Sequence, residues 1–203
     1  MKRVGLYFGT FNPIHIGHLV IANFMAHHTD LDEVWIVVTP HNPLKERTEL
    51  MPDEHRLQMV RLAILDNSRL FASDIEFDLP QPNYTINTLD HLRETHPDTE
   101  FVLIMGEDNL RSLHKWREYT RLCAEYDLFV YPRDTTEGES GQDVDPSVNQ
   151  DRVTLVDAPM IRISSTFLRN AIREQKDIRY LVPDEVINYI SNNYLYESPE
   201  GLT

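Results

Sequence analysis

The chain has 203 residues, with 19 Lys and Arg against 33 Asp and Glu, for a formal net charge of −14. That length can bury a substantial core without requiring two domains, so one domain over 1–203 is expected. The charge argues against general affinity for nucleic acid, which depends on Lys and Arg neutralising backbone phosphates, and no apolar stretch is long enough to cross a bilayer.

In chain order, Val4 to Phe8 is a short apolar run of strand character. Met1-Lys2-Arg3 precedes it, but the run is too short for a signal peptide, so the cytoplasm is the default location. It leads into Gly9-Thr10-Phe11-Asn12-Pro13-Ile14-His15-Ile16-Gly17-His18, and then into a helical pattern from His18 to His27. A strand turning through small residues into a helix leaves unpaired N–H groups at the positive end of the helix dipole, which is a natural phosphate cradle. His15 and His18, three apart, fall on one face of that first turn and can address the same anion. Gly17 between them would let a ligand approach the backbone. Taken alone, a His-x-x-His pair is also a common accident of surface composition, and as a zinc pair it lacks further ligands at usable spacing.

Val34 to Val38 reads as a buried parallel strand, followed by helices at Glu54 to Leu65 and Ile86 to Glu94. Phe101 to Met105, Leu128 to Tyr131 and Val153 to Val156 repeat the strand character, with a helix at Arg117 to Glu125 between the first two. The single Cys123 lies in that helix and reads as packing. Alternating strands and helices favour a parallel sheet covered on both faces.

The stretch 134–151 breaks the rhythm: rich in acid, Gly and Ser, it reads as a solvated excursion with little to offer a core. Ile163-Ser164-Ser165-Thr166-Phe167-Leu168-Arg169 then places three hydroxyls at a helix start with an arginine one turn inward. An ordinary N-cap needs only one hydroxyl; three, with exposed N–H groups and an arginine, suit the oxygens of a polyphosphate. Helices at Thr166 to Glu174 and Pro183 to Asn192 form a small C-terminal helical part. In so acidic a chain, positive charge must be gathered locally to bind an anion. Lys45, Arg47, Arg133 and Arg169 are the candidate cations near the proposed phosphate turns.

Gly9 to His18 resembles the GTFDPxHxGH signature of the nucleotidylyltransferase superfamily, and Ile163 to Arg169 matches its ISSTxxR motif without a gap. With both in order, the chain resembles the bacterial nicotinate mononucleotide adenylyltransferase family from Val4 to about Glu197. Pro40 to Lys45 is similar to that family's proline-rich lysine loop, Pro82 to Leu89 to its PSYTxxTL segment and Ile104 to Asp108 to its IIGxD turn. Lys115-Trp116 is similar to its KW pair, and Leu181-Val182-Pro183 and Tyr194-Leu195-Tyr196 to its ending.

The resemblance implies a Rossmann-like, doubly wound, mainly parallel α/β fold. It implies AMP transfer from ATP to nicotinate mononucleotide, giving deamido-NAD and pyrophosphate in NAD biosynthesis. Mg²⁺ would travel with ATP, held by substrate oxygens and water rather than by protein ligands. His15 and His18 would be catalytic. ATP would be bound by Gly9, Thr10, Phe11, His15, His18, Lys45, Gly106, Asp108, Arg133, Ile163, Ser164, Ser165, Thr166 and Arg169. The mononucleotide would be bound by Asn42, Tyr84 and Thr85, with Trp116 stacked on the pyridine ring. Trp116 reads equally as core, Tyr84-Thr85 as a capped helix start, and Asp108 as a cap on a short helix after the strand.

Phe8 stands where many members carry the first glycine of a pair, and Asn12 where aspartate is usual. Asn42-Pro43-Leu44-Lys45 replaces the common PPHK, leaving His41 as an alternative histidine, and the acidic excursion is longer than typical. A pantetheine phosphate adenylyltransferase shares the first and last motifs but lacks the Tyr-Thr and Lys-Trp segments. A nucleotide-sensing regulator on the same scaffold would bind ATP without releasing pyrophosphate. The choice between nicotinate and nicotinamide, and a homo-oligomeric state, stay open at this level.

Overall fold

The computed structural model describes residues 1–40, 50–133 and 148–197. Six strands form one parallel sheet in the order β3-β2-β1-β4-β5-β6. They are β1 (Lys2–Gly9), β2 (Glu33–Val38), β3 (Leu70–Ser73), β4 (Thr99–Gly106), β5 (Asp127–Tyr131) and β6 (Val153–Leu155). The helices are α1 (Ile16–His28), α2 (Asp53–Ala63), α3 (Thr85–Thr95), α4 (Glu107–Arg111), α5 (Tyr119–Glu125), α6 (Ser165–Arg173) and α7 (Asp184–Asn192). The chain runs outward from β1 to β3, then returns to pair β4 with β1, so strand order reverses between β1 and β4. In open α/β sheets of this kind, ligands bind outside the carboxyl ends of the strands at that reversal.

Period-two alternation sorts the strand residues into two cores, as expected for a sheet covered on both faces. Val102, Ile104, Phe129 and Tyr131 pack on the side of α1, α2, α6 and α7, whereas Leu103, Met105, Leu128 and Val130 pack with α3, α4 and α5. Helices on both faces therefore make the sheet doubly wound, as anticipated. No described helix is long and apolar enough to span a membrane.

Several boundaries differ from the sequence reading for identifiable reasons. β3 was not anticipated: Leu-Phe-Ala-Ser is four residues long at the sheet edge and buries only Leu70, so it carries too little pattern. The helix expected from Arg117 begins at Tyr119, because Glu118 has φ of 52°, in the left-handed region. Pro183 is the N-cap of α7 rather than its first residue. Residues 134–147 of the acidic excursion lie outside the described residues. Its described end corrects one expectation, since Val148 is buried in the core and Gln150–Arg152 form a turn of 3-10 helix.

Candidate active site

The β1–α1 turn opens at the carboxyl end of β1. His15 caps α1, and its backbone N–H donates to His18 Nδ1 at 3.3 Å, so in neutral His18 the proton resides on Nε2. The two imidazoles stack with centroids 3.7 Å apart and planes 20° from parallel. Tyr7 and Phe11 meet His18 edge-on, which holds the ring where it is. His15 is buried, and desolvation with the nearby Arg133 charge lowers its pKa to about 4. It is neutral at physiological pH, and its buried Nδ1 has no hydrogen-bond partner among the described residues.

Two expectations for this turn are modified by the geometry. A Cβ on Gly17 would lie 3.1 Å from the His15 ring, so the room this glycine leaves is used by the imidazole rather than by a ligand. The N–H groups of the helix start are also partly committed. Ile16 N–H donates to Leu181 O at 3.0 Å, and His18 N–H to His15 O at 2.9 Å.

The second motif meets the first. Ser164 caps α6 by accepting from Phe167 N–H at 3.1 Å, Ser165 Oγ donates to Pro13 O at 2.9 Å, and Thr166 Oγ1 accepts from Arg169 at 3.3 Å. Arg169 also donates to Asn12 O at 2.9 Å. The helix ends of α1 and α6 are thus tied to each other, and the Ser165 proton is spent on that tie. Asn12 keeps the acceptor function expected of an aspartate there, since its Oδ1 takes bonds from Met51 N–H at 3.2 Å and from the Tyr196 hydroxyl at 2.8 Å.

A cleft of about 980 Å³ lies over these ends. Its wall includes Gly9, Thr10, Phe11, His15 and His18 from the first motif, and Ile163, Ser164, Ser165, Thr166 and Arg169 from the second. Asp108, Arg133, Tyr84, Thr85 and Trp116 also line it, whereas Gly106 does not. Trp116 is half-buried, packing against the core on one side and lining the cleft on the other. Asp108 is not a cap: Gly106 holds that position in α4, and Asp108 pairs with Arg133 at 2.9 Å. Gly106 lies beneath them, where a Cβ would come within 2.5 Å of Asp108 Oδ1. Tyr84 rather than Thr85 caps α3. His41, Asn42, Lys45 and Arg47 lie outside the described residues.

Two buried charged residues escaped the sequence reading. Arg56 on α2 is fully buried and donates to Thr10 O at 2.6 Å, Thr39 O at 2.9 Å and Met51 O at 2.9 Å, with Asp53 as its counter-ion. It ties together the turns that follow β1 and β2. The available signal was a charge within the face Leu57, Met59 and Val60, where a core helix carries apolar residues. Glu76 lines the cleft, is 2% exposed and accepts from Thr88 Oγ1 at 2.7 Å; burial raises its pKa. Its backbone carbonyl accepts from Asn83 Nδ2 at 3.0 Å, which fixes the loop leading to Tyr84.

Comparison with known proteins identifies the family of this chain. Residues 6–171 match the cytidylyltransferase-like family. A probable nicotinate-nucleotide adenylyltransferase of Flavobacterium johnsoniae is 52% identical over 195 residues, covering 96% of this chain and 99% of the relative. One from Bacteroides fragilis is 46% identical, covering 93% and 90%. The fold is similar to that of the Plasmodium falciparum nicotinic acid mononucleotide adenylyltransferase complexed with NaAD, with a TM-score of 0.76, 22% identity and coverage of 97% and 98%. On near full-length identity at this level, the chain belongs to the nicotinate-nucleotide adenylyltransferase family.

Proposed function

We propose that the chain transfers AMP from ATP to nicotinate mononucleotide, giving the deamido dinucleotide and pyrophosphate. The observation that carries this reading is the junction of the α1 and α6 N-termini at one cleft, through Ser165 to Pro13 and Arg169 to Asn12. Two positive helix ends on one cleft suit a triphosphate. The family's relatives and the Plasmodium complex carry names in keeping with the same substrates.

The chemistry asks little covalent work of the protein. A phosphate monoester has a second pKa of about 6, so its oxygen attacks the α-phosphorus of ATP without a general base. The barrier lies in bringing two polyanions together and stabilising charge on the departing pyrophosphate. His18, with its proton on Nε2, donates to the reacting phosphate. Neutral His15 backs it and adds a second donor or acceptor. Arg133, Arg169 and the backbone of Ser164 to Thr166 hold the phosphate tail, with Lys45 joining them. Tyr84, Thr85 and Asn42 receive the mononucleotide, and Trp116 stacks on its ring.

ATP enters as its magnesium complex. That ion is carried by substrate oxygens and water rather than by a dedicated set of protein ligands. These substrates belong to the cytoplasm.

The test is pyrophosphate release from MgATP with nicotinate mononucleotide, nicotinamide mononucleotide or phosphopantetheine in separate reactions. Release with the nicotinate compound above the other two is expected. Preferred release with phosphopantetheine, or ATP binding without release in any arm, overturns the reading.

A further inference from the structure

We propose that Arg117 sets the preference for a pyridine mononucleotide bearing a carboxylate over one bearing an amide, a role that rests on the adenylyltransferase reading above. Its guanidinium carbon stands 4.8 Å from the centroid of the Tyr84 ring. Both residues line the cleft beside Thr85 and Trp116. Cation–π attraction holds the guanidinium over the ring face, and its N–H fork keeps edges available for a planar acceptor. The adjacent carboxylate, Glu118, lies at 3.9 Å, so local pairing is weak and the positive charge reaches into the cleft.

The cleft also carries a buried carboxyl group. Glu76 is buried there, with one carboxyl oxygen bonded to Thr88 and Oε2 without a hydrogen-bond partner among the described residues. Burial disfavours the ionised form of Glu76, and a carboxyl group in either form offers no positive charge to a ligand carboxylate arriving near Tyr84 and Thr85. Selection of the acid therefore requires a cation fixed on this wall. Arg117 meets that need because the aromatic ring that holds it belongs to the segment that receives the pyridine. Arg117 is a specificity residue and takes no part in the transfer at the imidazoles.

The test measures steady-state kinetics of the full chain with MgATP and either nicotinate or nicotinamide mononucleotide, for the wild type, Arg117→Gln and Arg117→Lys. The ratio of kcat/KM for the acid over the amide is expected to fall about fivefold in Arg117→Gln, the scale of one partly exposed ion pair. Arg117→Lys, which keeps the charge, should retain most of the ratio. An unchanged ratio in Arg117→Gln overturns the proposal. So does an equal loss with both mononucleotides, which would mean that Arg117 only positions Tyr84. A fall in Arg117→Lys as large as in Arg117→Gln likewise removes the charge argument. A wild type that releases no pyrophosphate with either mononucleotide instead refutes the underlying adenylyltransferase reading.

Discussion

The imidazole of His15 lies flat against that of His18, centroids 3.7 Å apart, while the His15 backbone N–H fixes the His18 tautomer from below. One residue thus supplies both the platform and the hydrogen bond that aim its neighbour. The consequence is a division of labour, with His15 buried and neutral and His18 presented to the cleft.

His18→Ala is expected to lower kcat by about a hundredfold, the scale of one lost transition-state donor. The half-buried ring packs edge-on against Tyr7 and Phe11, so only modest destabilisation should follow. Turnover near wild type, measured by pyrophosphate release with circular dichroism confirming the fold, would remove His18 from its role.

His15 links stability to pH. Unfolded, it titrates near 6.5; folded, at about 4. Between those values the unfolded chain binds the extra proton, so the contribution of His15 is fully present above pH 6.5 and is lost as pH falls toward 4. The shift corresponds to about 3 kcal/mol. In His15→Gln, urea unfolding at pH 7 and pH 4.5 should differ by about 2–3 kcal/mol less than in the wild type. An identical difference in both proteins would show that His15 does not bury its neutral form.

Trp116→Ala should raise KM for the mononucleotide more than KM for ATP, since stacking on one ring contributes about 1–3 kcal/mol. Equal effects on both substrates would assign the indole to packing against the core alone.

Arg56→Met keeps much of the apolar stem but orphans the carbonyls of Thr10, Thr39 and Met51 and leaves Asp53 without its counter-ion. Asp53 is partly exposed and stays solvated, so the cost falls on the buried carbonyls left without a donor, about 1–3 kcal/mol for such a group. Denaturant unfolding should register that loss, and a change below about 1 kcal/mol, the worth of a single hydrogen bond, would contradict the role given to Arg56.

Five of the six strands and six helices were legible in the sequence because each carries its own repeat, near-continuous apolar runs for buried parallel strands and a three-to-four spacing for helices. The two turns that open α1 and α6 were legible because each carries a local pattern of glycine, hydroxyl or imidazole at a helix start. β3 was not, being short and at the edge. Arg56 was passed over because a guanidinium in a helix normally faces water, and only the carbonyls converging on it from three separate segments reverse that expectation.

The sequence by itself determined most of the elements, their alternation and the two turns, one with imidazoles and one with hydroxyls, that open α1 and α6. These depend on interactions among near neighbours in the chain. Only the tertiary structure decided how the motif residues are spent: Ser165 on Pro13, Gly17 on the His15 ring, and the Asn12 amide oxygen on Tyr196, which lies 184 positions away. A side chain's free donors and acceptors are those left over after the fold has used the others, and that remainder depends on contacts between segments distant in sequence.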